Sequence, residues 1–343
     1  MSTDYHTSVL VAIDGQLESV PIGALVDAYL PPIRSNDQHD VVSVSNLKCP
    51  GVSSTENVSW ANVTHVSRHP ANGDMLTVTT ERGRTLKMTA SHSFLVRDKN
   101  RVVQRTGSDL VLGDCLPIVK ELPCNQGVLP WSPIPLTRAT GRFIGAVVSE
   151  GTVDQYTNAV DNRQQSWLTG IAKAFGQETS IHATSSRMTA RVDDQKLASW
   201  MAEQFGRPSG NKTLPAWILD APDEFVTGLL QTYFDADGHV QTEARHHRLG
   251  CHSVSEALIT MLCLCLARFG IVTYVGTEPY KTPAGEPGTI HRITIPMCFA
   301  AKFQEHIGFG IERKVETLAQ VVKEQEAVGV RGFRAHIPGM NEV

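Results

Sequence analysis

The sequence lacks any apolar run approaching the ~20 residues that a membrane-spanning helix requires. Its first residues, Met1 to His6, offer neither a basic start nor an apolar segment, so we expect no signal peptide. The cysteines are seven, an odd number at scattered positions, which argues against a disulfide framework and for a reducing compartment. We therefore expect a cytoplasmic protein of two or three domains with no membrane partner.

An excess of positive charge is also missing, because the formal net charge is −4. Phosphate neutralisation supplies much of the affinity of proteins for DNA, so a DNA-binding chain of this composition must concentrate its cations on one surface. Alternating polar residues on predicted strands offer such a surface, and solvated strand faces are the alternative explanation. The candidate DNA-binding residues are Arg187, Thr189, Arg191, Arg245, Arg248 and His252, with Lys212 added.

Two segments, Phe143 to Gly151 and Leu230 to Gly238, share one pattern. Each is an apolar helical run whose last turn delivers a carboxylate, Glu150 or Asp237, and glycine follows at once. If the two helices pack side by side, both carboxylates reach the same end of their interface. Paired carboxylates at one point are what a divalent cation needs to bind and to polarise a phosphodiester.

These two segments resemble the motif of the LAGLIDADG homing endonucleases of the dodecapeptide (DOD) type, with the acid at the eighth position in both. The third position, where a small residue lets helix backbones approach closely, is Gly145 in the first copy and Thr232 in the second. We therefore expect a close helix crossing that is wider or asymmetric at Thr232. Two buried core helices with incidental terminal acids are the alternative.

The resemblance implies a metal-dependent nuclease that makes a site-specific double-strand break in a long asymmetric DNA target. Glu150 and Asp237, together with the backbone carbonyls of Gly151 and Gly238, would bind Mg²⁺. Each carboxylate would lie nearest one scissile phosphate, so that both strands are cut.

Family members commonly add a lysine near the metal. Lys281 is our first candidate for this catalytic role and Lys212 the second. Asp235 lies at the sixth position of the second motif, and we expect it to face in a different direction.

The predicted fold is multidomain, an all-β N-terminal domain followed by an α+β domain of two pseudo-symmetric αββαββα units. Glycine just past each predicted helix is the usual stop signal in these units. A duplicated chain of this kind acts as a monomer and can recognise an asymmetric DNA site. The expected boundaries are 1–120 for the β domain, 121–136 for a proline-rich linker, 137–310 for the duplicated domain (about 137–210 and 211–310), and 311–343 for an unassigned helix and tail.

The N-terminal stretch resembles the Hint fold of inteins. A predicted strand there ends in Thr89-Ala90-Ser91-His92, the Thr-x-x-His pattern of that family, and a Leu-x-x-Gly-Asp strand pattern follows at Leu110 to Asp114. The resemblance implies an acyl shift in which Ser2 attacks the preceding carbonyl. His92 would protonate the amide nitrogen, and Thr89 would steady the oxyanion.

Serine replaces the usual cysteine at this nucleophile position, and the final residues, Arg334 to Val343, contain no C-terminal splicing block of the intein kind. We therefore do not expect self-contained splicing. The chain is the N-terminal half of a split intein that needs a C-terminal partner, a fragment of a longer precursor with host-protein flanks, or a degenerate element. Three functions stay open, namely an active intein-encoded endonuclease, a DNA-binding module that no longer cuts, and a component of trans-splicing.

Overall fold

The computed structural model describes residues 2–31, 39–53, 56–70, 73–81, 83–99, 101–124, 127–154, 157–162, 165–176, 179–183, 188–206, 209–243, 246–281 and 285–328. These residues form two compact units, one spanning Met1–Val128 and the other beginning at Leu129. No helix in the described ranges has the length and apolar character to cross a membrane.

The N-terminal unit is built mainly of short antiparallel strands. Its elements are β1 (Ser8–Ile13), β2 (Gln16–Pro21), α1 (Ile22–Tyr29), β3 (Asp40–Ser43), β4 (Leu47–Val52), β5 (Val58–Asn62), β6 (His65–Arg68), β7 (Met75–Thr79), β8 (Thr85–Thr89), β9 (Ser93–Asp98) and β10 (Arg101–Thr106). One sheet has the order β2-β1-β4-β5, and β3–β6, β7–β8 and β9–β10 form separate pairs.

Helix α1 corrects the prediction that this stretch is all β. It begins directly after Pro21, whose fixed φ suits a helix start, and it buries Leu25 and Val26 against Val11 and Leu47 of the first sheet. The sequence pattern missed it because a helix of eight residues is too short to show clear periodicity.

Strands β7 and β8 form a hairpin, and β8 is the predicted strand that ends at Thr89. Met75 pairs with Thr89 and Thr79 pairs with Thr85. Thr3 forms an antiparallel bridge with Met88, so the start of the chain lies along β8. This arrangement brings Ser2 to the Thr89 end of that strand.

The second unit contains the same series of elements twice. The first copy is α2 (Arg138–Glu150), β11 (Gly151–Val153), β12 (Thr157–Asn162), α3 (Gln165–Phe175), β13 (Thr179–Ala183), β14 (Met188–Asp193) and α4 (Gln195–Phe205). The second copy is α5 (Asp223–Ala236), β15 (Gly238–Glu243), β16 (His246–Ser253), α6 (Glu256–Arg268), β17 (Tyr274–Lys281), β18 (Pro287–Thr294) and α7 (Ala300–His306). A last helix, α8 (Glu312–Val328), follows.

The sheets of the two copies also have equivalent strand orders, β11-β12-β14-β13 and β15-β16-β18-β17. Each copy therefore has the αββαββα order. The helix predicted after residue 311 is α8, and the predicted tail beyond residue 328 lies outside the described residues. The described part of the 121–136 stretch contains neither helix nor strand, as its prolines at 123, 130, 133 and 135 predict.

Candidate active site

Helices α2 and α5 pack with their backbones in close contact. A Cβ atom added to Gly145 would overlap the carbonyl oxygen of Leu229, and one added to Gly141 would overlap that of Phe225. The contact is reciprocal, because a Cβ on Gly228 would overlap the carbonyl oxygen of Arg138. Glycine is the residue that permits such an approach. The sequence motif predicts the contact at Gly145, whereas Gly141 and Gly228 precede the two motifs and were not predicted.

Thr232 stands where the first motif has Gly145. Its side chain is completely buried, and its hydroxyl has no hydrogen-bond partner among the described residues. A buried hydroxyl without a partner costs free energy, so Thr232 is the strained member of this set of small residues. The asymmetric crossing expected from it stays a prediction.

The packed helices end with Glu150 and Asp237 at the same end. Glu150 is the last residue of α2 and is exposed, whereas Asp237 follows α5 and is partly buried. Burial, and next the negative charge of Glu150, raise the pKa of Asp237 to about 6, while Lys212 and Lys314 act in the opposite direction. The two helices run in parallel with their backbones in contact, so the structure places the two predicted acids at the same end of the helix pair.

Lys212 lies against the end of α2. Its Nζ donates to the carbonyl oxygens of Ser149 and Gly151, both at 3.1 Å. Burial lowers the pKa of Lys212, and the charges of Asp237 and Glu150 partly offset that effect. The second-ranked lysine of the sequence analysis is therefore beside both acids.

Lys314 of α8 occupies the equivalent place at the end of α5. Its Nζ donates to the carbonyl oxygens of Asp235 and Gly238, both at 2.6 Å, and of Phe234 at 3.0 Å. Burial lowers the pKa of Lys314 to about 8. Lysines are favourable at helix C-termini, where the last carbonyls lack partners inside the helix. The sequence analysis missed Lys314, because the two acids are 87 residues apart whereas the two lysines are 102 apart.

Lys281, the first-ranked candidate, lies elsewhere. It is the last residue of β17 and pairs with Pro287, beside the turn of the β17–β18 hairpin. The pair of Tyr274 and Thr294 lies at the opposite end of that hairpin. Across the sheet, three inter-strand spacings separate Lys281 from Asp237, and about five residues separate them along the strands. At ordinary spacings in a flat sheet this is a distance of roughly 20 Å. The structure does not bring Lys281 to the two acids.

Asp235 faces away from the pair, as expected. Its carboxylate accepts hydrogen bonds from the Trp167 indole at 3.0 Å, the Gly310 amide at 2.8 Å and the Ile311 amide at 3.3 Å. Burial raises the pKa of Asp235, and these hydrogen bonds oppose the rise. Asp235 therefore joins α5 to α3 and to the segment before α8, and it is a structural residue.

The open face of the second sheet carries a cluster of imidazole and guanidinium groups. His239 pairs with Gly250, and His252 pairs with Arg292, so these side chains lie on one face with Arg248. Burial lowers the pKa of His239, and its neighbours His252, Arg292, Lys314 and Arg248 lower it further. Arg248, His252 and Arg292 are exposed. The structure thus groups two predicted residues with His239 and Arg292, which the sequence analysis missed. Arg245 lies outside the described residues.

In the first sheet, the structure describes two of the predicted DNA-binding residues, Thr189 and Arg191. Thr189 and Arg191 are solvent-accessible, whereas Met188, Ala190 and Val192 are buried, as the alternation predicted. The guanidinium of Arg191 forms an ion pair with Asp193 at 2.7 Å. Arg187 lies outside the described residues.

A second constellation lies in the N-terminal unit around Ser2. The Ser2 amide donates to the Thr89 hydroxyl at 3.1 Å, and the Thr89 amide donates to the Ser2 carbonyl at 2.9 Å. The His92 amide donates to the Thr89 carbonyl at 3.0 Å, which places His92 on the turn after β8. Burial lowers the pKa of His92, and its Nδ1 is buried with no hydrogen-bond partner among the described residues.

The structure adds His69 to this group, a residue that the sequence analysis missed. The Ser2 hydroxyl and the His69 Nε2 form a short hydrogen bond. His69 follows β6, and 23 residues separate it from His92, so no local motif connects the two.

Comparisons with known proteins bear on both units. A family model for a LAGLIDADG-like domain matches residues 224–308, which run from the second residue of α5 to just past α7. The DNA-directed RNA polymerase subunit Rpo1C of Methanocaldococcus jannaschii is 27% identical over 94% of this chain and 40% of its own length. The replication factor C small subunit of the same organism is 21% identical over 92% of this chain and 16% of its own length. The chain thus spans less than half of each of these relatives.

Two solved structures are similar to parts of the chain. The transcription factor IIB Mvu mini-intein is 27% identical and covers 35% of this chain and 70% of its own, with a TM-score of 0.33. The I-DmoI structure in complex with DNA and Mn is 12% identical and covers 50% of this chain and 97% of its own, with a TM-score of 0.36. The family-model match to a LAGLIDADG-like domain is confined to residues 224–308, within the second unit.

Proposed function

We propose that this chain is an intein-associated homing endonuclease of the dodecapeptide type, which makes a site-specific double-strand break in DNA by metal-dependent hydrolysis. The observation that carries the proposal is the coupled pair Glu150 and Asp237 at the shared end of two closely packed helices. The match of residues 224–308 to the LAGLIDADG-like domain supports the assignment.

The donor set fits a hard divalent cation. Among the described residues no group of three or more His, Cys, Asp or Glu side chains could hold a metal. In this proposal the protein ligands are therefore the two carboxylates, Glu150 and Asp237. Mg²⁺ commonly binds through one or two carboxylates and completes its shell with water and phosphate oxygens. The carbonyls of Gly151 and Gly238 accept hydrogen bonds from Lys212 and Lys314, and a carbonyl oxygen has two lone pairs, so the resemblance's assignment of these carbonyls to the metal is part of the proposal.

The residues around the pair have separate roles in this proposal. Glu150 and Asp237 hold the cation, which when bound would act as a Lewis acid toward the phosphate and activate water. Lys212 and Lys314 supply positive charge beside each carboxylate and hold the helix ends in place. We propose these two lysines, rather than Lys281, for the role of the nearby cation.

The relatives support an element inserted into unrelated proteins. An RNA polymerase subunit and a replication factor subunit share almost the whole of this chain, yet it accounts for less than half of each. A mobile intein inserted into different host proteins would produce such a shared segment. In the N-terminal unit we propose an acyl shift at Ser2, with Thr89 steadying the oxyanion and His92 protonating the amide nitrogen.

We expect the DNA to bind along the open face of the second sheet. Replacing Arg248 with alanine should weaken DNA binding by about 1 kcal/mol or more and reduce the slope of log affinity against log salt by about one. Fluorescence anisotropy at salt concentrations from about 50 to about 200 mM would measure both the affinity and its salt dependence. Lys302→Ala, an exposed lysine on α7, is the control. Equal effects of the two variants would place the DNA elsewhere.

Cleavage of a plasmid that carries the host gene without its intein tests the function. We expect a linear product with Mg²⁺ and none with EDTA, because the two carboxylates need the cation to act on a phosphodiester. A gel shift without cutting in Mg²⁺ would instead show a binding module that has lost its chemistry. Cutting that persists in EDTA would contradict the metal-dependent mechanism.

A further inference from the structure

The hydrogen bonds of His69 define which ring nitrogen carries the proton. Its Nδ1 lies 2.8 Å from the carbonyl oxygen of Pro70, which can only accept. In the neutral ring Nδ1 is therefore the donor, and Nε2 has a free lone pair. Because Nε2 contacts the Ser2 Oγ, the hydroxyl proton points at a base.

The surroundings hold His69 in this position. The neighbouring Arg68 forms ion pairs with Asp27 and Asp40, both at 2.7 Å, and donates to the Pro31 carbonyl at 2.8 Å. These contacts tie the end of β6 to α1 and to β3. A nucleophile, a base and a group that orients the base are the three parts of an activated serine.

We propose that His69 is the general base that activates Ser2. The inference rests on the acyl shift of the proposed function and adds a catalytic residue to it. Nε2 of His69 takes the hydroxyl proton as Oγ forms a bond to the carbonyl carbon of the preceding residue. The bond from that carbon to the Ser2 nitrogen breaks, and the nitrogen receives a proton from His92. An amide becomes an ester, with no change in oxidation state.

The chemistry of serine explains why such a base is needed. A hydroxyl is a weak nucleophile without deprotonation, whereas a cysteine thiol is partly ionised near neutral pH. His69 therefore compensates for the serine at position 2. Ser2→Cys should make the base far less important.

A cleavage assay tests this role. The full chain, extended upstream of Met1 by a small folded tag, is treated with hydroxylamine, which cuts esters and leaves a hydroxamate on the released tag. We expect His69→Ala to slow release by about 100-fold or more, the usual contribution of a general base. Adding Ser2→Cys to His69→Ala should restore release to within about tenfold of Ser2→Cys alone. His65→Ala, at an exposed histidine of β6, the strand that precedes His69, is the control and should stay within about twofold of the wild type.

The outcomes distinguish the role of His69 as a base from the acyl shift at Ser2. Release that depends on Ser2 but not on His69 would overturn the inference and leave the acyl shift standing. Release that is absent, or unchanged in Ser2→Ala, would overturn the acyl shift itself.

A second measurement applies whether or not the tag is released. In Ser2→Cys, the pH dependence of iodoacetamide alkylation of the new cysteine, followed by peptide mass spectrometry, reports its ionisation. We expect the apparent pKa of that thiol to be at least about one unit lower with His69 than with His69→Gln, because a nearby imidazolium favours the thiolate. Identical profiles would show that His69 does not interact with the nucleophile.

Discussion

Asp237→Asn should abolish DNA cleavage and at the same time make the protein more stable at neutral pH. Cleavage should fall by about 1,000-fold or more, because removing one of two carboxylates removes the cation that stabilises the transition state. The stability should rise because burial and the charge of Glu150 already oppose ionisation of Asp237, whose pKa is about 6. One unit of pKa corresponds to about 1.4 kcal/mol, and allowing for partial exposure we expect a gain of about 2 kcal/mol.

The pH dependence of this gain has a definite sign. Between the ordinary pKa of an aspartate and about 6, the folded wild-type protein binds more protons at Asp237 than the unfolded chain does. Its stability from this group therefore falls as the pH rises through that window. The advantage of Asp237→Asn should be full above about pH 7 and nearly absent near pH 4.

Denaturant unfolding at several pH values, with cleavage assays in parallel, would check both parts. Asp235→Asn is the matched contrast, since its carboxylate accepts three hydrogen bonds in the folded protein. That variant should lose stability, because an amide group would face N–H donors. An Asp237→Asn variant that still cuts at the wild-type rate would remove Asp237 from the metal site. A destabilised variant would contradict the prediction that burial and Glu150 oppose its ionisation.

Gly145→Ala should destabilise the second unit by about 3 kcal/mol, although alanine is the better helix former. The added methyl group would overlap the backbone carbonyl of Leu229, which cannot move aside as a flexible side chain does. The helices must separate, and contacts along the whole of α2 and α5 are then lost. Separation also moves Glu150 relative to Asp237, so cleavage should fall with stability.

Gly170→Ala is the control for this substitution. Gly170 also lies within a helix, α3, but it is exposed and a Cβ there would meet nothing within 4 Å. We expect that variant to gain roughly 0.5–1 kcal/mol from helix propensity alone. Denaturant midpoints of the two variants would measure the difference, and similar midpoints would mean that α2 and α5 are not in backbone contact.

Local sequence features were sufficient for most of the second unit. Glycine just past the helix marks the ends of α3, α4 and α6 in the chain, and alternation of polar and apolar residues identified the buried and open faces of β14. The same reasoning marked Glu150 and Asp237, because an acid before glycine at a helix end is visible in the chain itself. Helix ends, strand faces and an acid before glycine depend on neighbours within a few residues in the chain. Sequence patterns give information over this short range.

Only the tertiary structure decided which distant residues lie beside the acids and beside Ser2. Lys314 rather than Lys281 lies beside Asp237, and His69 lies beside Ser2. Each of these two placements results from a contact between elements that are far apart in the chain. The backbone contact of Gly141 and Gly228 likewise appears only when α2 and α5 meet. The sequence by itself determined the acids and the helices that carry them. Long-range packing decided which bases and cations face them, because burial and distance set the charge interactions on which the chemistry depends.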